Sequence, residues 1–314
     1  MTANLQNPIF TDETKAREWL ETRVWPNGPV CPHCGSTGDD VTALNGKAHR
    51  PGLYQCAGCR EQFTVTVKTV FERSKVPLSK WLAALFMMTA SKKGVSAHQI
   101  HRSLGISYKT AWFLCHRLRE AMRQGGLLPP MGESGDPVEV DETYIGRVKG
   151  AKVKQGSRYH KHAVLSLVDR KNKQVRSFHI AGTTINDVAP IIRANISKEA
   201  RLMTDQAPWY RKTGDEFATH ESIDHSADEY VRGDVTTNTV EGYFSIFKRG
   251  MKGVYQHCDE KHLHRYLSEF DFRYNTRSAL GFNDLMRAEA AAVGIKGKRL
   301  TYRRPHKVTK SSAN

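Results

Sequence analysis

Hydrophobic and polar positions recur along this chain with two periods, and the change between them divides it. From Thr11 to Trp25, the residues Ala16, Trp19, Leu20 and Val24 recur at helical spacing and predict an amphipathic helix. A second helical pattern starts at Pro77, runs through Trp81, Leu82, Leu85 and Phe86, and breaks near Gly94. Ser96–Leu104 predicts a short helix. Gly105-Ile106-Ser107 predicts a tight turn with Ser107 as N-cap, and Tyr108–Met122 a third helix with Ala111, Leu114, Cys115 and Leu118 on one face. Helix, helix, glycine-containing turn, helix is the plan of a helix-turn-helix.

After a Gly/Pro-rich stretch from Gly125 to Pro137 the pattern changes to that of strands. Val138–Ile145 alternates, His162–Val168 is a near-continuous apolar run, and Val175–Ile180 alternates again. A helix at Ile185–Ile196 leads into a short strand, Arg201–Thr204, that ends on Asp205. Asn238–Phe247 and Lys261–Asn275 predict two more helices. Strands joined first by hairpins and then by helical crossovers indicate a mixed α/β sheet. The expected organisation is an N-terminal helix (1–28), a ribbon (29–72), a helix-turn-helix (73–124), a linker (125–137), the α/β domain (138–290) and a basic, flexible tail (291–314).

Composition narrows the partner. The 314 residues include 48 Lys+Arg against 32 Asp+Glu, a net charge of +16, which points to a polyanion. No run approaches 18 consecutive apolar residues, and no basic-then-apolar leader opens the chain, so a cytoplasmic protein without a membrane partner is expected. Basic residues gather in Arg147, Lys149, Lys152, Lys154, Arg158 and Lys161 between the first two predicted strands. They recur as Lys109, Arg117, Arg119 and Arg123 in or beside the third helix, as Lys248, Arg249 and Lys252, and in a tail holding Lys296, Lys298, Arg299, Arg303, Arg304, Lys307 and Lys310. Such clusters suit a DNA phosphate backbone.

Two candidate metal sites stand out. Cys31-Pro-His-Cys34 and Cys56-Ala-Gly-Cys59, separated by 21 residues, match a structural zinc site in which each turn presents two thiolates at about 2.3 Å from one ion. A redox pair is the alternative for either doublet alone. Cys115 and Cys258 read as small buried residues. Asp141 lies within an apolar alternation where an unpaired charge is costly, Asp205 ends a strand, and Glu241 lies on a helix just after Thr237 and Asn238. Oxygen ligands converging from two strands and a helix suit Mg²⁺, and a pair of such ions serves in-line attack on phosphorus. The alternative is three ordinary strand-end or surface carboxylates. Glu139 and Glu142 are expected on the sheet face opposite Asp141, Asp169 in a turn, and His220 and His225 as loop residues bracketing Asp224. Tyr144, Trp209 and Tyr210 are candidates for stacking on bases, with packing favoured.

The paired CxxC ribbon, the run Val138-Glu-Val-Asp-Glu-Thr-Tyr-Ile-Gly146, Thr204-Asp-Gln206 and Asn238-Thr-Val-Glu-Gly-Tyr-Phe-Ser-Ile-Phe-Lys-Arg249 together resemble a bacterial DDE insertion-sequence transposase related to the Merlin elements. The resemblance spans Trp19–Leu280. It implies an RNase H-like catalytic domain, double-stranded DNA as partner (element ends and target), magnesium or manganese at the active site, and a homodimer or higher homo-oligomer. It maps the acidic triad onto Asp141, Asp205 and a residue of the last motif. Glu241 is preferred there because a carboxylate neutralises the ion, with Asn238 a second candidate or an orienting group. Lys248, seven residues after Glu241, falls at the offset of a DNA-contacting base in related enzymes. The expected function is cleavage at the terminal inverted repeats and joining of the 3′-hydroxyls to target DNA. A DNA-binding regulator with a decayed catalytic domain, or a nuclease without strand transfer, are the alternatives.

Overall fold

The computed structural model describes residues 5–301 apart from 126–127, 154–157, 225–226, 228 and 230. Helix α1 (Glu13–Val24) starts where the Asp12 side chain accepts from the Lys15 N–H at 2.9 Å, and it buries Ala16, Leu20 and Val24. Glu13 also caps α2 (Leu78–Ala90), accepting from the backbone N–H groups of Leu78 at 2.7 Å and Ser79 at 3.0 Å. A carboxylate at a helix N-terminus satisfies donors that have no intrahelical partner. Between these helices lies a three-stranded antiparallel ribbon, β1 (Val41–Ala43), β2 (Tyr54–Cys56) and β3 (Gln62–Phe63). Its small core is Phe63 and Tyr54 against Trp25, at ring-centroid separations of 5.8 and 5.4 Å.

Helix α3 (Ala97–Leu104) ends on Gly105, whose φ of 60° is the left-handed conformation that stops a helix without a Cβ penalty. Helix α4 (Tyr108–Met122) follows, capped by the Ser107 side chain, which accepts from the Thr110 N–H at 3.2 Å. Only its first turns are open: from Leu114 to Met122 every residue is buried. That bears on Arg117 and Arg119, expected with Lys109 among the DNA-contacting basic residues of this helix. Arg117 is buried and donates to the Glu72 carbonyl at 2.6 Å, and Arg119 is buried against Glu269. Neither guanidinium is available to DNA; periodicity could place them on a helix but could not show that a second helix covers them. Lys109, in the first turn, is exposed.

The α/β region is a five-stranded sheet in the order β6-β5-β4-β7-β8. Its strands are β4 (Pro137–Ile145), β5 (His162–Asp169), β6 (Gln174–Ile180), β7 (Arg201–Asp205) and β8 (Thr219–Ile223). β4, β5 and β6 are antiparallel neighbours, whereas β7 lies parallel to β4 and β8 parallel to β7. This mixed sheet fits an RNase H-like fold. One face, with Val138, Val140, Leu165 and Leu202, packs on α5 (Ile185–Asn195) and α6 (Pro208–Gly214). The other, with Ile145, Val164 and Val168, packs on α7 (Asn238–Gly250) and α8 (Glu260–Asn275). β8, α6 and a last helix, α9 (Asp284–Val293), were not predicted.

α9 does not join the sheet. Its Ala288, Ala291 and Ala292, with Ile295, enter the core formed by α1, α2 and α4. By packing it therefore goes with the N-terminal helices and not with the sheet region that the sequence reading extended to residue 290. The start of the basic tail is also tied down: Lys298 Nζ donates to the Ala121 carbonyl at 3.1 Å, Gly297 N–H to Lys68 at 3.0 Å, and Arg299 lies 3.4 Å from Glu72. Arg303, Arg304, Lys307 and Lys310 lie outside the described residues, as do Lys154 and His225. Among the described residues no helix is long and apolar enough to cross a membrane.

Candidate functional site

Strand register builds the carboxylate cluster. β4 and β7 run parallel with Val138 opposite Leu202 and Glu139 opposite Met203, where the pairing ends. Two residues further on, the same register sets Asp141 across from Asp205, each on the α7 side of the sheet. Carboxylate oxygens of Asp141, Glu142 and Asp205 lie within 4.8 Å of one another. Asp205 Oδ1 accepts from the Ala207 N–H at 3.0 Å and Asp141 Oδ1 from the Glu142 N–H at 2.7 Å. Burial, and then the negative charges of Glu142, Asp205 and Glu241, hold the Asp141 carboxyl well above the usual range. Mutual repulsion of this kind is what a bound cation relieves, so the donor set fits a hard divalent ion.

Glu241 stands in the first turn of α7, exposed, accepting from the Thr237 hydroxyl at 3.2 Å. Its charge acts on Asp141, yet its oxygens fall outside the closest cluster. Glu142 takes a nearer place than the sequence reading assigned it. Strand alternation does turn it towards α6, where the buried Tyr210 hydroxyl donates to it at 2.7 Å, but its carboxylate still reaches the cluster at the strand's unpaired edge. Asn238 is exposed at the first position of α7.

Glu139 differs from expectation for a simpler reason. Positions two apart share a sheet face, so Glu139 lies on the same side as Asp141 and not opposite it. It is fully buried and accepts from Thr239 Oγ1 at 2.7 Å and the Val240 N–H at 2.9 Å, with Arg170 at 3.6 Å. Glu139 thus fastens the N-terminus of α7 to β4 and sets where Asn238 and Glu241 stand. Strand alternation, with its period of two, already places Glu139 and Asp141 on one face.

Lys248 follows Glu241 by two turns of α7, half-buried, and feels the charge of Asp141. Burial and the neighbouring cations Lys252, Arg158 and Lys161 lower the affinity of Lys248 for its proton, against the pull of Asp141. Lys149, Lys152, Arg249 and Lys252 are exposed. Lys252, which follows α7, and Arg158 and Lys161 of the connection between β4 and β5 thus act on Lys248 together with Asp141. Tyr210 is fully buried and unavailable for stacking; the Tyr144 hydroxyl donates to Thr183 at 3.2 Å. Asp169 accepts from Asn172 N–H at 2.8 Å and Gly132 N–H at 3.3 Å, the turn role expected of it. His220 faces the Thr204 hydroxyl at 2.9 Å in the sheet.

The four ribbon cysteines form a second cluster, their sulfurs all within 4.8 Å. Cys31 and Cys59 are 3.6 Å apart and Cys34 and Cys56 3.5 Å, far beyond the roughly 2.05 Å of a disulfide but close to the edge of a thiolate tetrahedron around zinc. Hydrogen bonding with Ser36 draws the Cys34 thiol down to about 6. This donor set fits a structural Zn²⁺. Cys115 is buried and its thiol pushed up to about 12 by burial.

Comparison with known proteins agrees with both clusters. Residues 11–62 match the transposase zinc-ribbon domain and residues 133–275 the ISXO2-like transposase domain. A Halobacterium salinarum protein described as an uncharacterized protein in transposable element ISH50 is 27% identical over 279 residues, which is 84% of this chain and 91% of the relative. A chain of the simian T-cell lymphotropic virus intasome, solved in complex with PP2A regulatory subunit B56 gamma, shares 14% identity at a TM-score of 0.28. The match covers 55% of this chain and 63% of that one, under two thirds of its length. With the ribbon cysteines and the clustered carboxylates each inside its matched domain, this chain carries a transposase zinc ribbon followed by an ISXO2-like transposase domain, the two parts of a DDE transposase.

Proposed function

We propose that this transposase binds the terminal inverted repeats of its element, cleaves a phosphodiester bond at each end and joins the freed 3′-hydroxyls to target DNA. The observation that carries this reading is the convergence of Asp141, Glu142 and Asp205, with Lys248 on α7 within reach of the Asp141 charge. Asp141 and Asp205 would hold magnesium or manganese, with Glu241 closing the site from α7 and Glu142 at the other edge. A metal pair there supplies an activated water or 3′-hydroxyl and a counter-charge for the departing oxygen. Lys248 receives the scissile phosphate. Lys149, Lys152, Arg249 and Lys252 hold the flanking backbone, and Asn238 orients the third ligand. The exposed turn and first residues of α4, with Lys109, read the ends in the manner of a helix-turn-helix, beside the ribbon. Two ends must be joined in register, so a symmetric dimer or larger assembly is the working form.

The test uses full-length protein and DNA carrying the element end. Asp141→Asn and Asp205→Asn should each abolish Mg²⁺-dependent nicking and strand transfer while end binding persists. Wild-type cleavage by either variant removes that residue from the site. Nicking without joining would instead favour a nuclease.

A further inference from the structure

Away from the carboxylate cluster, the sheet presents a set of metal-type donors that the transposition chemistry does not use. His179 on β6 pairs with Val164 on β5, and His162 lies two residues before Val164, so both imidazoles stand on the face covered by α7 and α8. Their rings meet edge to face, with centroids 5.6 Å apart at 74°. Glu260 is the first residue of α8, which packs against β6. One donor atom from each of His162, His179 and Glu260 lies within 4.8 Å of the other two. Among the described residues none of these three side chains makes a hydrogen bond.

We propose that His162, His179 and Glu260 bind a second divalent ion, of the zinc class, with no thiolate ligand. Two imidazoles and one carboxylate, with a fourth position left to water, is a donor set that zinc and cobalt take readily and magnesium does not. Tetrahedral bonds of roughly 2.0–2.2 Å place donors about 3.4 Å apart, a closure that side-chain rotation supplies because Glu260 is exposed at a helix start. His162 also lines a cavity of about 230 Å³ with Lys161, Gln256 and Cys258, which gives water and the ion a way in. The site is separate from the carboxylates. His162 pairs with Ile145, four residues along β4 from Asp141, a span of about 13 Å. An ion here would pin the root of the basic β4–β5 connection, which ends at Lys161, to the first turn of α8.

Full-length metal-free protein titrated with Co²⁺ tests this, with excess Mg²⁺ present and, in parallel, in an Asp141→Asn/Asp205→Asn background, so that the catalytic carboxylates do not compete. Two equivalents are expected: one with the intense near-ultraviolet thiolate charge-transfer band of the ribbon, the other with weak visible bands only. His162→Ala/His179→Ala should lose the second equivalent and keep the thiolate band, which also reports that the fold survives. Glu260→Gln, at an exposed position, should weaken it by roughly tenfold or more. A wild-type chain that binds only the thiolate-associated equivalent overturns the proposal, as does a second equivalent that persists undiminished in Glu260→Gln or the double-histidine variant. Neither outcome depends on DNA cleavage.

Discussion

Replacing Arg119 by methionine should unfold this protein before it weakens its hold on DNA. The Arg119 side chain is 3% exposed and its Nε lies 2.6 Å from Glu269, which is fully buried. Glu269 also receives the Tyr255 hydroxyl at 2.5 Å and the guanidinium of Arg273, while the Arg119 guanidinium lies over the Tyr266 ring at 4.0 Å. Burial alone would raise the Glu269 carboxyl, but Arg273 and Arg119 more than reverse it and hold it below the ordinary range. Removing one partner of a buried pair costs about 3–5 kcal/mol, because the remaining charge is left under-compensated. At about 2–4 °C per kcal/mol for chains of this order of size, melting should fall by roughly 6–20 °C. Glu269→Leu alone should cost at least as much, since it strands two guanidiniums. The Arg119→Met/Glu269→Leu double variant should cost less than the sum, a coupling that a double-mutant cycle by thermal denaturation reads directly. An Arg119→Met chain that melts like wild type yet loses affinity for element ends would refute this placement and restore Arg119 as a DNA contact.

Three further outcomes follow from the same contacts. Because burial and like charges raise Asp141 above its ordinary value of 3.8, its contribution to metal-free stability is complete below that pH and is lost as pH rises through the folded value. Melting without divalent metal should therefore decline from acid towards neutral pH, and both Mg²⁺ and Asp141→Asn should flatten the decline; an unchanged slope in Asp141→Asn counts against the cluster. Cys31→Ser or Cys56→Ser should abolish the thiolate–metal band and expose the ribbon to proteolysis, whereas a mild reductant should leave the wild-type melting temperature unchanged. Glu139→Ala should cost about 1–3 kcal/mol for each donor it strands, at Thr239 and Val240, and should slow end cleavage while end binding holds. Unaltered cleavage in a folded Glu139→Ala protein would show that α7 needs no such anchor.

Elements with a strong local period were legible in the sequence. α4 begins and ends where its pattern and the Ser107 cap place it, and β4, β5 and β6 differ from expectation by a residue at their ends. The cysteine doublets announced their cluster because thiolate spacing is itself the signal. What stayed hidden was set by tertiary context. β8 carries His220, Glu221 and Ser222, too polar to announce a strand, and forms because β7 offers an open parallel edge. α9 is alanine-rich and weakly patterned, and it earns its place by filling a gap among distant helices. Arg117 and Arg119 counted among the basic residues of the third helix because a sequence does not show what will lie across them. Glu142 joined the carboxylates because the strand edge there is unpaired on one side, a feature of register and not of composition.

The return of α9 to the amino-terminal helices has a consequence for synthesis. Ala288, Ala291, Ala292 and Ile295 supply the last wall of a hydrophobic core whose other walls leave the ribosome more than 160 residues earlier, by Met122. A nascent chain therefore holds α1, α2 and α4 incompletely enclosed until Ile295 has been translated. Products that end before α9 lack a finished amino-terminal core, so the amino-terminal helices close only once the sheet that follows them has been made.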